Sequence, residues 1–240
     1  PALAMGNAFI LKPSEMTPLV SMRIVAIMEE AGLPKGLMNI INGDYRIGSA
    51  ICQHPGIAKV SLTGGVDTGK LIMKQSADSL KRVTLELGGK APLIICDDAD
   101  LNKAADIAMS ANFYTAGEVC SNATRVFVHR SVADELIAMM VDRTSRLKVG
   151  DPMADDVDIG AVISEKHLQK ITGMIAKGID EGASLAVGGN RVHPQGFEGG
   201  YFIEPTILTS CQDDMTVVRD EIFGPVMSVL IFDDDDEAIR

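Results

Sequence analysis

The sequence predicts an α/β fold, a parallel-sheet unit followed by a second α/β unit. Three observations carry that expectation. Short β-rich runs alternate with amphipathic helical runs along the chain, the order that builds parallel sheets with helices on their faces. No internal repeat or low-complexity segment breaks the alternation. Glycines and prolines stand where helices and strands should stop.

Taken in order, Ala8–Lys12 (AFILK) is predicted to be a strand. Helical spacing is predicted over Pro18–Ala31, with Leu19, Met22, Val25 and Met28 three apart on one stripe and Gly32 and Pro34 as the stop. Met38–Ile41 is the next expected strand, Ile47–Cys52 a short helix, Lys59–Leu62 a third strand, Thr68–Ser76 a helix and Arg82–Leu85 a fourth strand, all in one parallel sheet. A boundary near Gly88–Lys90 is expected to separate residues 1–88 from residues 89–240. Beyond it, the apolar run Pro92–Cys96 is predicted to be a strand buried on both faces. A helix is expected over Leu101–Thr115, with Asp97, Asp98 and Asp100 at its positive end. Arg125–His129 reads as a strand, Val132–Leu147 as a helix, and Ser164–Gly182 as a helix with Ser164 as its cap. Gly188, Gly189, Gly196, Gly199 and Gly200 mark a hairpin-like stretch, after which Tyr201–Leu208 and Val226–Phe232 are predicted strands. The run Asp233–Asp236 reads as a solvated helix start.

The chain has 240 residues, 46% hydrophobic and 23% charged, enough for two modest domains and too apolar for wholesale disorder. Its net charge of -11 argues against nucleic acid and anionic membrane as main partners. No apolar run approaches the roughly 20 residues of a membrane span, and no secretory leader is visible. The four cysteines form no CxxC pair, so a reduced, cytoplasmic protein with mostly buried thiols is expected. Both ends read as cut, at Pro1 in PALAMGNAFI and at Arg240 after DDDDEAI. The chain is therefore expected to be an internal segment, inactive and poorly stable on its own.

Several short motifs carry chemistry, each with a plain alternative. In SLTGGVDTG an apolar strand meets Gly64 and Gly65 just before a helix. Unpaired helix N–H groups there would suit a pyrophosphate, although for this motif alone a connecting turn is the plainer reading of the glycines. LKPSE places Lys12, Ser14 and Glu15 at a strand end, where Lys and Glu could hold the hydroxyls of a ribose or simply make a capped turn. ELGGK (Glu86, Leu87, Gly88) follows a strand, and AGEVCSNAT sets Cys120 among small residues, either an activated thiol or small apolar filler. DEIFGPV, with Glu221 and Phe223, is a specific loop or a turn with Phe223 packed inward.

In combination, LKPSE, SLTGG, LELGGK, GEVC and EIFGPV, in this order over essentially the whole chain, resemble the aldehyde dehydrogenase superfamily. The spacing of Glu86 and Cys120 matches that family's glutamate–cysteine pair. GGKAPLIICDDADL and ANFYTAGEVCSNATRVFVHR look most like the betaine aldehyde dehydrogenases, with trimethylaminobutyraldehyde dehydrogenases as close relatives. The resemblance implies a catalytic pair: Cys120 as nucleophile, giving a thiohemiacetal and then a thioester, and Glu86 as the base that activates the hydrolytic water. It implies that the oxyanion is held by the Cys120 N–H and by an Asn that lies upstream of Pro1 in the family. It implies NAD as cofactor, with NADP disfavoured by Glu15, and cofactor contacts from Lys12, Ser14, Glu15, Gly64, Gly65, Leu87, Gly88, Lys170, Glu221 and Phe223. No metal is called for. The partners implied are a small aldehyde and, in the full-length protein, further copies of the same chain. A non-catalytic relative that keeps the fold is the competing expectation.

Overall fold

The computed structural model describes residues 1–240. The chain is α/β with parallel strand pairs, and it divides into two compact units, Pro1–Leu87 and Gly88–Arg240.

The first unit runs β1 (Phe9–Leu11), α1 (Pro18–Glu30), β2 (Met38–Ile40), α2 (Tyr45–Gln53), β3 (Lys59–Gly64), α3 (Val66–Ser76) and β4 (Arg82–Leu87). The strands make two separate parallel pairs, β1 with β2 and β3 with β4, where one sheet was expected. Alternation of strand and helix sets strand direction, but it does not choose neighbours. The expected stripe on α1 is also corrected. Of its residues only Val25 is buried, and Leu19 is 77% exposed. At 3.6 residues per turn, every third residue steps about 60° backwards, so Leu19 and Met28 face opposite sides. Helix α2 starts two residues earlier than expected, because the Asp44 side chain accepts from Arg46 N and caps it. In the β3–β4 pair, Thr63 lies opposite Glu86 and Gly64 opposite Leu87.

The second unit contains β5 (Pro92–Ile95), α4 (Leu101–Phe113), β6 (Arg125–His129), α5 (Arg130–Thr144), α6 (Glu165–Asp180) and β7 (Ser184–Val187). It continues with β8 (Arg191–Val192), β9 (Phe202–Ile203), β10 (Thr206–Thr209), α7 (Thr216–Arg219), β11 (Val226–Phe232) and α8 (Asp235–Ile239). Five strands form one sheet in the order β5-β6-β11-β10-β7, parallel except for β7. The middle strand β11 is buried throughout except at Ile231. Around it the core gathers Val126, Val128, Leu136, Met140, Ile171, Ile207 and Leu208.

Several expectations are corrected in this unit. Strand β5 is the sheet edge and is not covered on both faces: Ile95 is buried, but Ile94 is 41% exposed. The expected strand Tyr201–Leu208 is two strands, broken at Glu204–Pro205, because proline has no N–H to give to a ladder. Strand β9 pairs antiparallel with β8, closing the expected hairpin, while β10 joins the main sheet. The antiparallel edge strand β7 had no distinct signal in SLAV. Of the three aspartates before α4, only Asp100 caps it, accepting from Asn102 N and Lys103 N. Ser164 caps α6 as expected, and Asp234 caps α8. Cys52 and Cys211 are buried, but Cys96 and Cys120 are exposed, so the thiols are not mostly buried.

Candidate active site

In the first unit the LKPSE segment leaves the end of β1. The Lys12 stem passes over Gly48 of α2, where an added Cβ would lie 3.9 Å from Lys12 Cδ. Its Nζ donates to the Pro13 carbonyl at 2.9 Å and stands 3.7 Å from Glu15 Oε2. Lys12 and Glu15 are thus brought together. The Ser14 hydroxyl oxygen is used in the turn, accepting from Met16 N at 3.2 Å.

Gly64 ends β3 and Gly65 is the residue before α3, with extended backbone and no capping side chain. Neither has the positive φ that would require glycine. A Cβ added at Gly65 would meet nothing within 4 Å. The first-turn N–H groups of the eleven-residue α3 therefore stand behind open space, an arrangement that fits a phosphate group. Glu86 is exposed on β4, one strand away from this turn. Leu87 supports α3 from below, since a Cβ on Gly69 would come within 2.9 Å of its Cδ2.

In the second unit α4 stops at Phe113, two residues before the expected end. Thr115, Ala116 and Gly117 follow with φ of 53°, 52° and 72°. Left-handed backbone at non-glycine residues costs about 1–3 kcal/mol each and persists only where the surroundings impose it. Two buried asparagines hold this segment. Asn122 donates to the Gly117 carbonyl at 3.2 Å, and Asn112 donates to the carbonyls of Ala108 and Ala123. A Cβ on Gly117 would lie 2.2 Å from the Gly224 carbonyl oxygen, so the two loops touch through backbone. Cys120, exposed and free, stands on this braced loop.

The loop 220–225 is held from several sides. Lys170 Nζ donates to the Glu221 carbonyl at 2.9 Å, and His167 Nε2 lies 2.6 Å from the Phe223 carbonyl. Gly89 N donates to Glu221 Oε1 at 3.3 Å, and a Cβ on Gly88 would collide with the same carboxylate. Phe223 is left-handed, at φ 60°, and half-buried; Ile222 is the buried residue of the loop. Behind it Lys90 donates to the Val217 carbonyl at 2.7 Å. Burial, with the Arg125 charge nearby, pushes the Lys90 ammonium down to about 8, and burial pushes the Cys211 thiol up to about 11. Glu118 is also raised by burial, against the pull of His167 and the Ile163 N–H.

The structure therefore gathers Gly88, Lys170, Glu221 and Phe223 in the second unit. In the first it gathers Lys12 with Glu15, and sets Gly64 opposite Leu87, the residue after Glu86. Sequence reasoning missed Lys90, Asn112, Glu118, Asn122 and His167. Lys90, Glu118 and Asn122 stand inside motifs already read as ELGGK and GEVCSNAT; Asn112 stands in the run ANFYTAGEVC and His167 lies three residues before Lys170, but nothing local gave either side chain a role of its own.

Residues 1–240 match the family profile described as "Aldehyde dehydrogenase family". The chain belongs to the aldehyde dehydrogenase family. Relatives within the family agree. It is 52% identical over 239 residues to the betaine aldehyde dehydrogenase of Vibrio vulnificus strain YJ016, covering 100% of this chain and 49% of that protein. The betaine aldehyde dehydrogenase of Staphylococcus aureus, solved in complex with NAD+, superposes with a TM-score of 0.97 at 42% identity, over 100% of this chain and 48% of that one. The aldehyde dehydrogenase of Bacillus cereus, solved as an NAD+ complex, gives 0.95 at 43% identity, over 99% and 48%. The chain spans about half the length of the curated relatives it matches. No helix is long and apolar enough to cross a membrane.

Proposed function

We propose that the protein containing this chain oxidises an aldehyde to its carboxylic acid with NAD, and that the aldehyde is betaine aldehyde. The observation that supports this best is an exposed, free Cys120 on a strained, braced loop in a chain that matches the aldehyde dehydrogenase family from end to end. In this reading the Cys120 thiolate attacks the aldehyde carbon, and its own backbone N–H helps hold the oxyanion of the thiohemiacetal. When bound, NAD supplies the hydride acceptor that lets the thiohemiacetal become a thioester. Glu86 takes a proton from the water that hydrolyses the thioester, releasing the acid. Lys12 and Glu15 hold the adenosine ribose, and the Glu15 carboxylate disfavours a ribose phosphate. Ser14 shapes the turn between them. The Gly64–Gly65 turn holds the pyrophosphate against α3. Leu87, Gly88, Lys170, Glu221 and Phe223 hold the nicotinamide end. The betaine assignment is supported by the named relatives at 52% and 42% identity. A cytoplasmic homo-oligomer fits the same reading, and the four free cysteines suit a reducing compartment.

The test is NADH formation by the full-length protein across a panel of aldehydes, with NAD and with NADP. Cys120→Ala is expected to cut turnover roughly 10³-fold or more. Glu86→Gln is expected to release about one NADH per site in a burst and then turn over slowly, as an enzyme that acylates but does not deacylate. Full activity in Cys120→Ala would refute the nucleophile.

A further inference from the structure

One imidazole ties together three chain segments around Cys120. His167 lies in the first turn of α6, its backbone N–H bonded to the Ser164 cap, with a side chain only 15% exposed. Its Nε2 is 2.6 Å from the Phe223 carbonyl oxygen and 3.3 Å from Glu118 Oε1. Both neighbours are acceptors, so Nε2 must carry the hydrogen; the opposite tautomer would aim a lone pair at two oxygens. The same Glu118 oxygen accepts from Ile163 N at 3.4 Å. The imidazole also meets the Phe223 ring edge-on, with centroids 6.2 Å apart. Glu118 is two residues from Cys120, and Phe223 is held left-handed in the loop that Lys170 pins at Glu221.

We propose that His167 and Glu118 are a positioning pair that couples the Cys120 loop to loop 220–225. His167 holds the Phe223 carbonyl and so presents that loop to the nicotinamide end of the cofactor. Glu118 stands 3.3 Å from the same nitrogen, a charge contact beside the hydrogen bond to Phe223, and so sets the loop on which the thiol stands. Gly117 against Gly224 is the second, backbone point of contact between the two loops. Neither side chain takes part in bond making; each acts through the backbone it holds. The inference rests on the reading of Cys120 as nucleophile and of loop 220–225 as a cofactor contact.

The experiment uses the full-length protein with His167→Ala, His167→Gln, Glu118→Ala and the pair His167→Ala/Glu118→Ala. Four quantities are measured: NAD binding by titration, the rate of Cys120 alkylation by iodoacetamide without cofactor, and steady-state KM and kcat. His167→Ala is expected to weaken NAD binding and raise the KM for NAD about tenfold, the scale of one lost buried hydrogen bond. Its kcat is expected to stay within about threefold. Alkylation of Cys120 is expected to change severalfold in His167→Ala and in Glu118→Ala, and the double variant to be no worse than either alone. His167→Gln keeps an N–H donor at the position of Nε2 and is expected to recover most of both effects. Wild-type NAD binding and wild-type alkylation in His167→Ala would overturn the pair, as would a His167→Gln no better than His167→Ala. If His167→Ala does not fold, His167→Gln and Glu118→Ala decide on the same readouts: an unchanged alkylation rate in Glu118→Ala overturns the coupling. An active Cys120→Ala control would sink the nucleophile reading instead, while a dead Cys120→Ala beside a normal His167→Ala sinks only the pair.

Discussion

Gly88 and Gly117 both approach loop 220–225, and the cost of a methyl group differs between them. At Gly88 the obstacle is the Glu221 carboxylate, the far end of a flexible side chain, 1.9 Å from where a Cβ would stand. At Gly117 it is the Gly224 backbone, and the positive φ adds strain. Gly88→Ala is therefore expected to fold normally while displacing Glu221 and breaking its bond from Gly89. The KM for NAD should rise roughly tenfold, with the melting temperature nearly unchanged. Gly117→Ala should instead lose stability outright, by several kcal/mol. Steady-state kinetics beside thermal melts separate the two, and an unaltered KM in Gly88→Ala would count against Glu221 as a cofactor contact. Cys120, Glu86 and Glu221 are proposed from motifs, because the chemistry assigned to them is carried by residue type. Their supports could not: an Asn or a His becomes a brace only when a distant carbonyl arrives beside it.

Among the elements, caps were the most legible feature. Ser164 before α6 reads directly, since a hydroxyl before an amphipathic run satisfies an orphan N–H. Asp100 does the same for α4, and Asp100→Ala should cost about 1 kcal/mol in a urea midpoint. Leu136, fully buried on α5, should cost about 2–5 kcal/mol as Leu136→Ala, because the cavity adds to the lost transfer energy. If Asp100→Ala matched Leu136→Ala, capping would weigh as much as packing here, contrary to both values. Strand order was not legible. The apolar run of β5 suits a central strand and an edge alike, and the antiparallel β7 is decided by its pairing with β10.

Over the whole molecule, Lys90 makes stability depend on pH. Its folded value is lowered to about 8 from the ordinary 10.5. Between those values the unfolded chain holds a proton that the native state has released, so stability rises with pH across that window. Below it the native state bears the full cost of a buried ammonium. Lys90→Met removes this dependence, and the Val217 carbonyl keeps its bond from the Ser228 hydroxyl. In full-length protein, wild type should gain about 1 kcal/mol relative to Lys90→Met between pH 7.5 and 9. Cys211, raised to about 11 from the ordinary 9.0, works the other way as the pH passes through that ordinary value, where the unfolded thiol ionises first, and this contribution is common to wild type and Lys90→Met. A flat difference between the two proteins over that range would mean that Lys90 titrates normally.

By itself the sequence determined the α/β class, most helix and strand positions and the family, and it named the residues proposed here to carry the chemistry. Those follow from local periodicity, turn residues and motif order, all of which are properties of neighbours along the chain. Only the tertiary structure decided that the first unit's strands make two pairs, that β5 is an edge, that Gly117, Asn122 and His167 hold the Cys120 loop and loop 220–225, and that Lys90 is half-buried against α7. These depend on which backbone groups meet across long stretches of chain, and a carbonyl that receives its partner from 56 residues away, as Phe223 does from His167, leaves no mark on the residues beside it.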